Sequence, residues 1–369
     1  MAGENRPELY ELHEKRLRDA VALKTPDRVP LALNGPAWPA RALGEEMTQV
    51  ATTPNRAYEI IIEAYSSLGE IEAIQSPAYD VSTLPVMWLS RVKAPGRELP
   101  ADEMWQVDEA ELMTVDDYDA ILREGFGPWW ERYMHERLPG VLEDFQAFTK
   151  TIPPALQACR DIGIVPLSPA VCTIPYEYFC GGRSMKEFIL DLFRYGDKVQ
   201  AAMDEALPFI IEQMRGLIRT FHFTGLWIGG WRSASEFIAP RLWNRFVFPY
   251  YQKMVDAALE ENAIPILHFD ANWTRDLERL RELPKGKCVL ALDSKTDIFK
   301  AKQVLGDHMC IMGDVPPALF SLGTPDEVTA YCKRLINEVG PGGFILSSGC
   351  DVPVDAQYEN VKAMVEAVA

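Results

Sequence analysis

His268 and Asp270 stand two residues apart in the run Ile266-Leu267-His268-Phe269-Asp270-Ala271-Asn272. On an extended strand, residues i and i+2 project to the same side. An imidazole and a carboxylate projecting together can be two metal ligands, or a base with its orienting acid. They can equally be a hydrogen-bonded histidine and an aspartate capping a helix. Far downstream, Cys350 follows Ser347, Ser348 and Gly349, so little side-chain bulk shields its thiol. If the three met, nitrogen, oxygen and sulfur ligands would leave the fourth position of a tetrahedral zinc open. An open zinc acts as a Lewis acid toward an oxygen or sulfur of the substrate. The competing reading of Cys350 is a free buried thiol.

Other candidates are weaker. Asn34, Trp231, Asp293 and Asp314 also fall where apolar runs end, and capping is the simpler role for the two aspartates. His308 opens a run, which puts it at the opposite end of its strand from the site, while His13, His135 and His222 lie in helical or loop contexts. All four histidines read as structural. No GxxxxGK[ST] phosphate loop, HExxH helix or GxSxG elbow is present.

The elements that must position these groups follow from the apolar pattern. Short apolar runs lie at 28–35, 71–77, 162–169, 225–230, 263–270, 287–294, 308–314 and 343–350. Helical spacing fills the intervals, at 7–25, 53–68, 185–221, 235–262, 276–283, 297–306 and 324–340. Strand and helix in repeated alternation mark βαβ units and a parallel sheet. Eight such units predict a closed (β/α)8 barrel, with functional groups at the C-terminal ends of its strands. An open doubly wound sheet is the runner-up, but no GxGxxG follows the first strand. The pattern breaks down between Tyr79 and Leu138, a loop-rich stretch carrying Trp88, Trp105, Trp129 and Trp130. That stretch predicts an insertion of hairpins and short helices acting as a lid or pocket wall. No internal repeat or linker divides the chain, so residues 1–369 are expected to form one domain.

Composition bounds the rest. Basic side chains number 37 and acidic ones 54, a net charge of −17 that disfavours nucleic acid or an anionic membrane as the main partner. Apolar residues at 48% and charged ones at 25% are ordinary globular values and exclude a disordered or fibrous chain. No apolar stretch is long enough to span a bilayer, and the opening MAGENRPELYELHEKRL is too charged for a signal peptide. Seven cysteines without CxxC spacing fit thiols in a reducing cytoplasm. The oligomeric state, a homo-oligomer included, is left open.

Two blocks, RLWNRFVFPYYQKMVDAALEENAIPILHFDAN and GTPDEVTAYCKRLINEVGPGGFILSSGCDVPVDAQYENVKAMVEAV, resemble the uroporphyrinogen decarboxylase superfamily, as does RLRDAVALKTPDRVPLAL near the start. The resemblance covers nearly the whole chain and implies a (β/α)8 barrel. One branch binds a tetrapyrrole through N-terminal arginines and an aspartate. The other comprises zinc methyltransferases that work with a corrinoid protein, with a His-x-Cys motif and a distant Cys. Here RVPLALNGPAWPARAL lacks the arginine-rich motif. His268-Phe269-Asp270 stands where the second branch has His-x-Cys, and Cys350 matches the distant Cys. A carboxylate makes the site harder than two thiolates would, which suits an oxygen substrate better than a thiol.

The segment GFGPWWERYMHERL resembles that of bacterial enzymes passing methyl groups from aryl methyl ethers to a corrinoid protein. The resemblance therefore implies an O-demethylating methyltransferase. Zinc on His268, Asp270 and Cys350 would act on the ether oxygen of a methoxyarene, with cobalamin on a partner protein accepting the methyl group. Tyr79, Trp88, Phe126, Trp129, Trp130 and Trp231 are candidates for a pocket that holds the ring. Two alternatives remain: transfer from methyl-corrinoid to a thiol or pterin, and a non-catalytic protein that binds a corrinoid or tetrapyrrole.

Overall fold

The computed structural model describes residues 6–368; Ala369 and the first five residues of the charged N-terminal stretch lie outside them. Among the described residues eleven strands form, in chain order: β1 (Leu31–Leu33), β2 (Ala73–Ile74), β3 (Arg91–Lys93), β4 (Gln106–Asp108), β5 (Val165–Pro166), β6 (Val171–Cys172), β7 (Gly225–Gly230), β8 (Ile264–Phe269), β9 (Val289–Ala291), β10 (Cys310–Val315) and β11 (Phe344–Ser348). Nine of them make one parallel sheet in the order β5-β2-β1-β11-β10-β9-β8-β7-β6. Its two edges, β5 and β6, are consecutive in the chain. The short link between them is hydrogen-bonded on both sides, Leu167 N to the Ile74 carbonyl and Trp227 N to the Ala170 carbonyl. The sheet therefore closes on itself as a (β/α)8 barrel, whose third strand is split into β5 and β6.

Alternation along each strand builds two cores. Inward positions, among them Ala32, Ala73, Val165, Leu167, Ile266, Val289, Ala291, Cys310, Met312 and Ile345, fill the barrel. Outward positions such as Leu31, Leu33, Leu226, Ile228, Leu290, Ile311 and Leu346 pack under the helices. The helix Arg6–Val21 adds Leu17, Ala20 and Val21 to the interior cluster. Leu23, just beyond it, lies against Gly286 and Gly343, which precede β9 and β11, so this helix closes the N-terminal end. The opposite end carries the exposed residues Trp231, Asp270 and Asp351.

Two of the expected helices are divided. The stretch 185–221 splits into Met185–Arg194 and Gly196–Phe221, while 235–262 becomes Pro240–Phe246 and Phe248–Glu260 behind a short 3-10 turn. Both segments of the second stretch begin with proline in the first turn, where the missing N–H costs nothing. Pro325–Glu338 is opened by a capping box between Thr324 and Glu327.

The insertion contains the antiparallel hairpin β3–β4 and the helices Pro85–Trp88, Val115–Glu124 and Phe126–Arg137. Its middle is tied down at two places. Thr48 N donates to the Ala101 carbonyl at 3.0 Å, and Leu112 N and Met113 N donate to the Gly182 carbonyl at 2.8 and 2.7 Å. These bonds fasten the insertion to the helices Met47–Ala51 and Pro175–Arg183.

Candidate metal centre

His268 is the penultimate residue of β8, and its side chain points into the barrel above Ile266. Nδ1 lies 2.9 Å from the Ala291 carbonyl at the end of β9. A carbonyl can only accept, so Nδ1 carries the proton and Nε2 is directed at whatever sits in the mouth. Two groups sit there. Asp270 Oδ1 is 2.9 Å from Nε2, and Cys350 Sγ is 3.7 Å from the same oxygen. One ligand atom from each of the three lies within 4.8 Å of the others. Three chain segments thus converge: the strand β8, the turn after it, and the turn after β11.

Burial falls off outward. His268 is buried, Cys350 is half-buried, and the Asp270 side chain is 50% accessible, so the open face of the trio meets the mouth. Desolvation alone would lower the histidine, but the Asp270 carboxylate and the Cys350 sulfur facing Nε2 outweigh it and hold its pKa well above the usual value. Burial raises the Cys350 thiol, with His268 opposing it. Burial works against the Asp270 carboxylate as well, yet the imidazolium holds it below its ordinary value. Without a cation the trio keeps a proton between its members. A divalent ion would replace that proton and use the three atoms as ligands, so the donor set fits zinc.

Further carboxylates surround the trio. Asp351 follows Cys350 and reaches solvent in the mouth while being ringed by protein; burial and the Asp270 charge push it up to about 6. Asp293, beyond β9, is raised by burial and accepts from Lys295 N at 2.9 Å, a turn-capping role. Asp314 accepts from the Tyr331 hydroxyl at 2.9 Å and is pushed up to about 7 by burial, tied to the helix layer. Asn34, after β1, donates to Ser347 Oγ at 3.3 Å and leaves Oδ1 buried without a partner.

The six aromatic candidates separate into two groups. Trp231, 38% exposed just beyond β7, stacks on Trp88 of the insertion with ring centroids 5.7 Å apart. Tyr79 packs on Trp105 at 5.4 Å, its hydroxyl raised by burial and by the Asp351 and Asp80 charges. These three lie around the mouth. Phe126 and Trp129 are each 1% exposed, packed with Tyr133, Tyr178, Phe179 and Phe209. Trp129 Nε1 donates to Asp117 at 3.0 Å. Both rings hold the insertion to the barrel, leaving no face for a ligand. Trp130 is half-buried against Phe209, with Nε1 donating to the Val86 carbonyl. The spacing of Phe126, Trp129 and Tyr133 on one face of a helix is the sequence signal for that inward role.

Sequence reasoning missed Trp227, whose ring centroid lies 4.8 Å from that of His268. It also missed the ion pair behind β7, where Arg232 Nη1 lies 3.7 Å from Glu177 Oε2 and both side chains are buried. Glu177 Oε1 accepts from Ser233 N and Oγ at 2.7 and 2.6 Å. Gly230 leaves the room for that carboxylate, which a Cβ would overlap.

Comparisons with known proteins agree with this architecture. Residues 130–369 match the family model described as uroporphyrinogen decarboxylase (URO-D). The uroporphyrinogen decarboxylase of Geobacter metallireducens is 24% identical, with 96% of this chain and 97% of that protein covered. The match to the enzyme of Coxiella burnetii spans about half of that protein's length, 53%, at 23% identity. A methylcobamide:CoM methyltransferase of Methanosarcina mazei is 28% identical over 48% of this chain and 50% of its own length. A solved methyltransferase structure from Methanosarcina mazei superposes with a TM-score of 0.71 at 19% identity, covering 96% of this chain and 97% of the other. Barrel, matched residues and relatives lead to one placement: the chain belongs to the uroporphyrinogen decarboxylase family.

Proposed function

We propose that this protein removes the methyl group of a methoxyarene and passes it to the cobalt of a partner corrinoid protein. The observation that carries the reading is the convergence of His268, Asp270 and Cys350 on the open barrel mouth, with a carboxylate where a thiol-activating site would hold a second sulfur. The three residues would hold zinc, which when bound supplies a Lewis acid for the ether oxygen. In the reaction the O–CH3 bond breaks with its electron pair left on oxygen, and the methyl carbon bonds to cobalt(I), which contributes the other pair. Phenolate is a poor leaving group, so the protein must stabilise charge developing on that oxygen.

The Ala291 carbonyl keeps the His268 ring in one orientation. The stacked Trp88 and Trp231, with Tyr79, offer aromatic surface for the ring of the ether. The whole chain acts as one barrel domain with the 79–138 insertion as its pocket wall. No described helix is long and apolar enough to cross a membrane, and all seven cysteines are unpaired, which supports a reducing compartment, the cytoplasm. The methylcobamide:CoM methyltransferase relative keeps a second reading in view, transfer from methyl-corrinoid to a thiol.

One assay separates the two. The zinc-loaded protein is incubated with a reduced corrinoid protein and methoxybenzenes, methanol or a porphyrinogen, and methyl-cobalt formation is followed optically. A parallel arm offers methyl-corrinoid and a thiol. Methyl-cobalt with methoxybenzenes alone is the expected result. Turnover of methanol or of the porphyrinogen, or demethylation of methyl-corrinoid by the thiol only, would overturn the reading.

A further inference from the structure

The inward positions of β7 read Gly225, Trp227, Gly229, a single indole between two residues without side chains. A Cβ at Gly225 would press on the Leu167 carbonyl, and one at Gly229 would press on the His268 carbonyl. The Gly229 position is also where the indole leans: a Cβ there would lie 3.0 Å from Trp227 Nε1. Gly229 pairs in register with His268, so Nε1 reaches the level of the metal ligand from one strand away. The two rings are 4.8 Å apart at 41°. Trp227 is half-buried, packed below against the barrel interior. Among the described residues Nε1 donates to no protein group, nor do those of Trp88, Trp105, Trp231 and Trp243, whereas the indoles of Trp38, Trp129, Trp130 and Trp273 donate to a carbonyl or carboxylate. Of the unpartnered indoles, Trp227 is the one packed on His268.

An indole nitrogen is a donor only, and a polar group lining a site without a protein partner is free for a ligand. We infer that the Trp227 indole N–H is the hydrogen-bond donor to the substrate oxygen held beside His268, stabilising the phenolate that forms as the methyl group leaves. This rests on the demethylation reading and adds a second stabilising group, supplied by the protein itself. A donor placed before reaction costs no reorganisation as the charge develops, so its loss should fall on the transition state and on the phenolate product, and little on the ether.

The test is Trp227→Phe, which keeps a ring and removes the N–H. Zinc content and the binding of an unreactive ether analogue should stay as in the wild type. The rate of demethylation should fall about a hundredfold. The fall should be larger for ethers of poorly acidic phenols than for a nitrophenyl ether, whose leaving group needs less help, and affinity for the phenol product should drop. An equal loss for all ethers, or no loss, would assign Trp227 to packing alone and overturn the inference. A second readout needs no variant. With tryptophan labelled by nitrogen-15, the nine indole signals of the wild-type protein are followed as phenol or toluene is added. Phenol should move one indole N–H downfield and toluene none; identical responses to both ligands contradict the proposal. Should the wild type demethylate no methoxyarene, the functional reading fails on its own, independently of either Trp227 result.

Discussion

The barrel carries a histidine with two acidic or thiol partners at each end, and the two clusters differ in charge balance and in exposure. At the N-terminal end His13, Glu70 and Glu72 bring ligand atoms within 4.8 Å of one another, as His268, Asp270 and Cys350 do at the other. The first cluster is already saturated. Arg16 reaches Glu72 at 3.0 Å, Arg28 donates to Glu72 at 2.7 Å, and Leu31 N takes the remaining carboxylate oxygen at 2.9 Å. His13 bonds the Gly163 carbonyl at 2.8 Å and Glu70 at 3.3 Å. Two guanidinium groups neutralise the two glutamates in a site that holds the first helix over the barrel floor. The second cluster contains no arginine or lysine, and its aspartate is half open to the mouth. Three suitable side chains within reach of each other are therefore not enough for a metal centre. The lone pairs must also be unspent and the charge unbalanced.

That contrast can be attacked at either end. The largest expected effect is on stability at the floor. Glu72 is fully buried, so Glu72→Gln leaves the Arg16 and Arg28 charges short of a partner; breaking a buried pair costs about 3 kcal/mol here, Asp27 still holding Arg16. Denaturant unfolding should show that loss with zinc content unchanged. A variant as stable as the wild type, or one that loses metal, would erase the distinction between the two ends.

A slightly smaller effect is expected at the mouth. Asp270→Cys keeps the formal charge of the ligand and should keep zinc bound, but a thiolate donates more electron density and weakens the pull on an ether oxygen. Demethylation should slow by roughly a hundredfold, about 2.7 kcal/mol at the transition state. Metal and rate are measured on the same preparation. Full zinc with undiminished ether cleavage would show that ligand hardness does not set the choice of substrate.

The barrel was legible because each strand is a short apolar run buried on both faces. The third was not fully so, since the chain changes partner from β2 to β7 between Pro166 and Val171 and no residue pattern marks the change. Helix breaks at Tyr195 and Val247 were likewise hidden, because apolar spacing continues through them. At the site, period-two parity was enough to pair His268 with Asp270. The aromatic wall was only half readable: Trp88 and Trp231 meet at the mouth, while Phe126 and Trp129 follow helical spacing into the core. Trp227 escaped notice because a tryptophan within a strand reads as packing until its neighbours across the barrel are known. Parity with Gly225 and Gly229 was the available clue.

Protein purified without chelator is analysed for zinc as wild type, His268→Ala, Cys350→Ala and His13→Ala. About one zinc per chain is expected in the wild type and in His13→Ala, and little in the other two. Full zinc in both His268→Ala and Cys350→Ala, or its loss in His13→Ala, would contradict the assignment of the metal centre to the open end of the barrel.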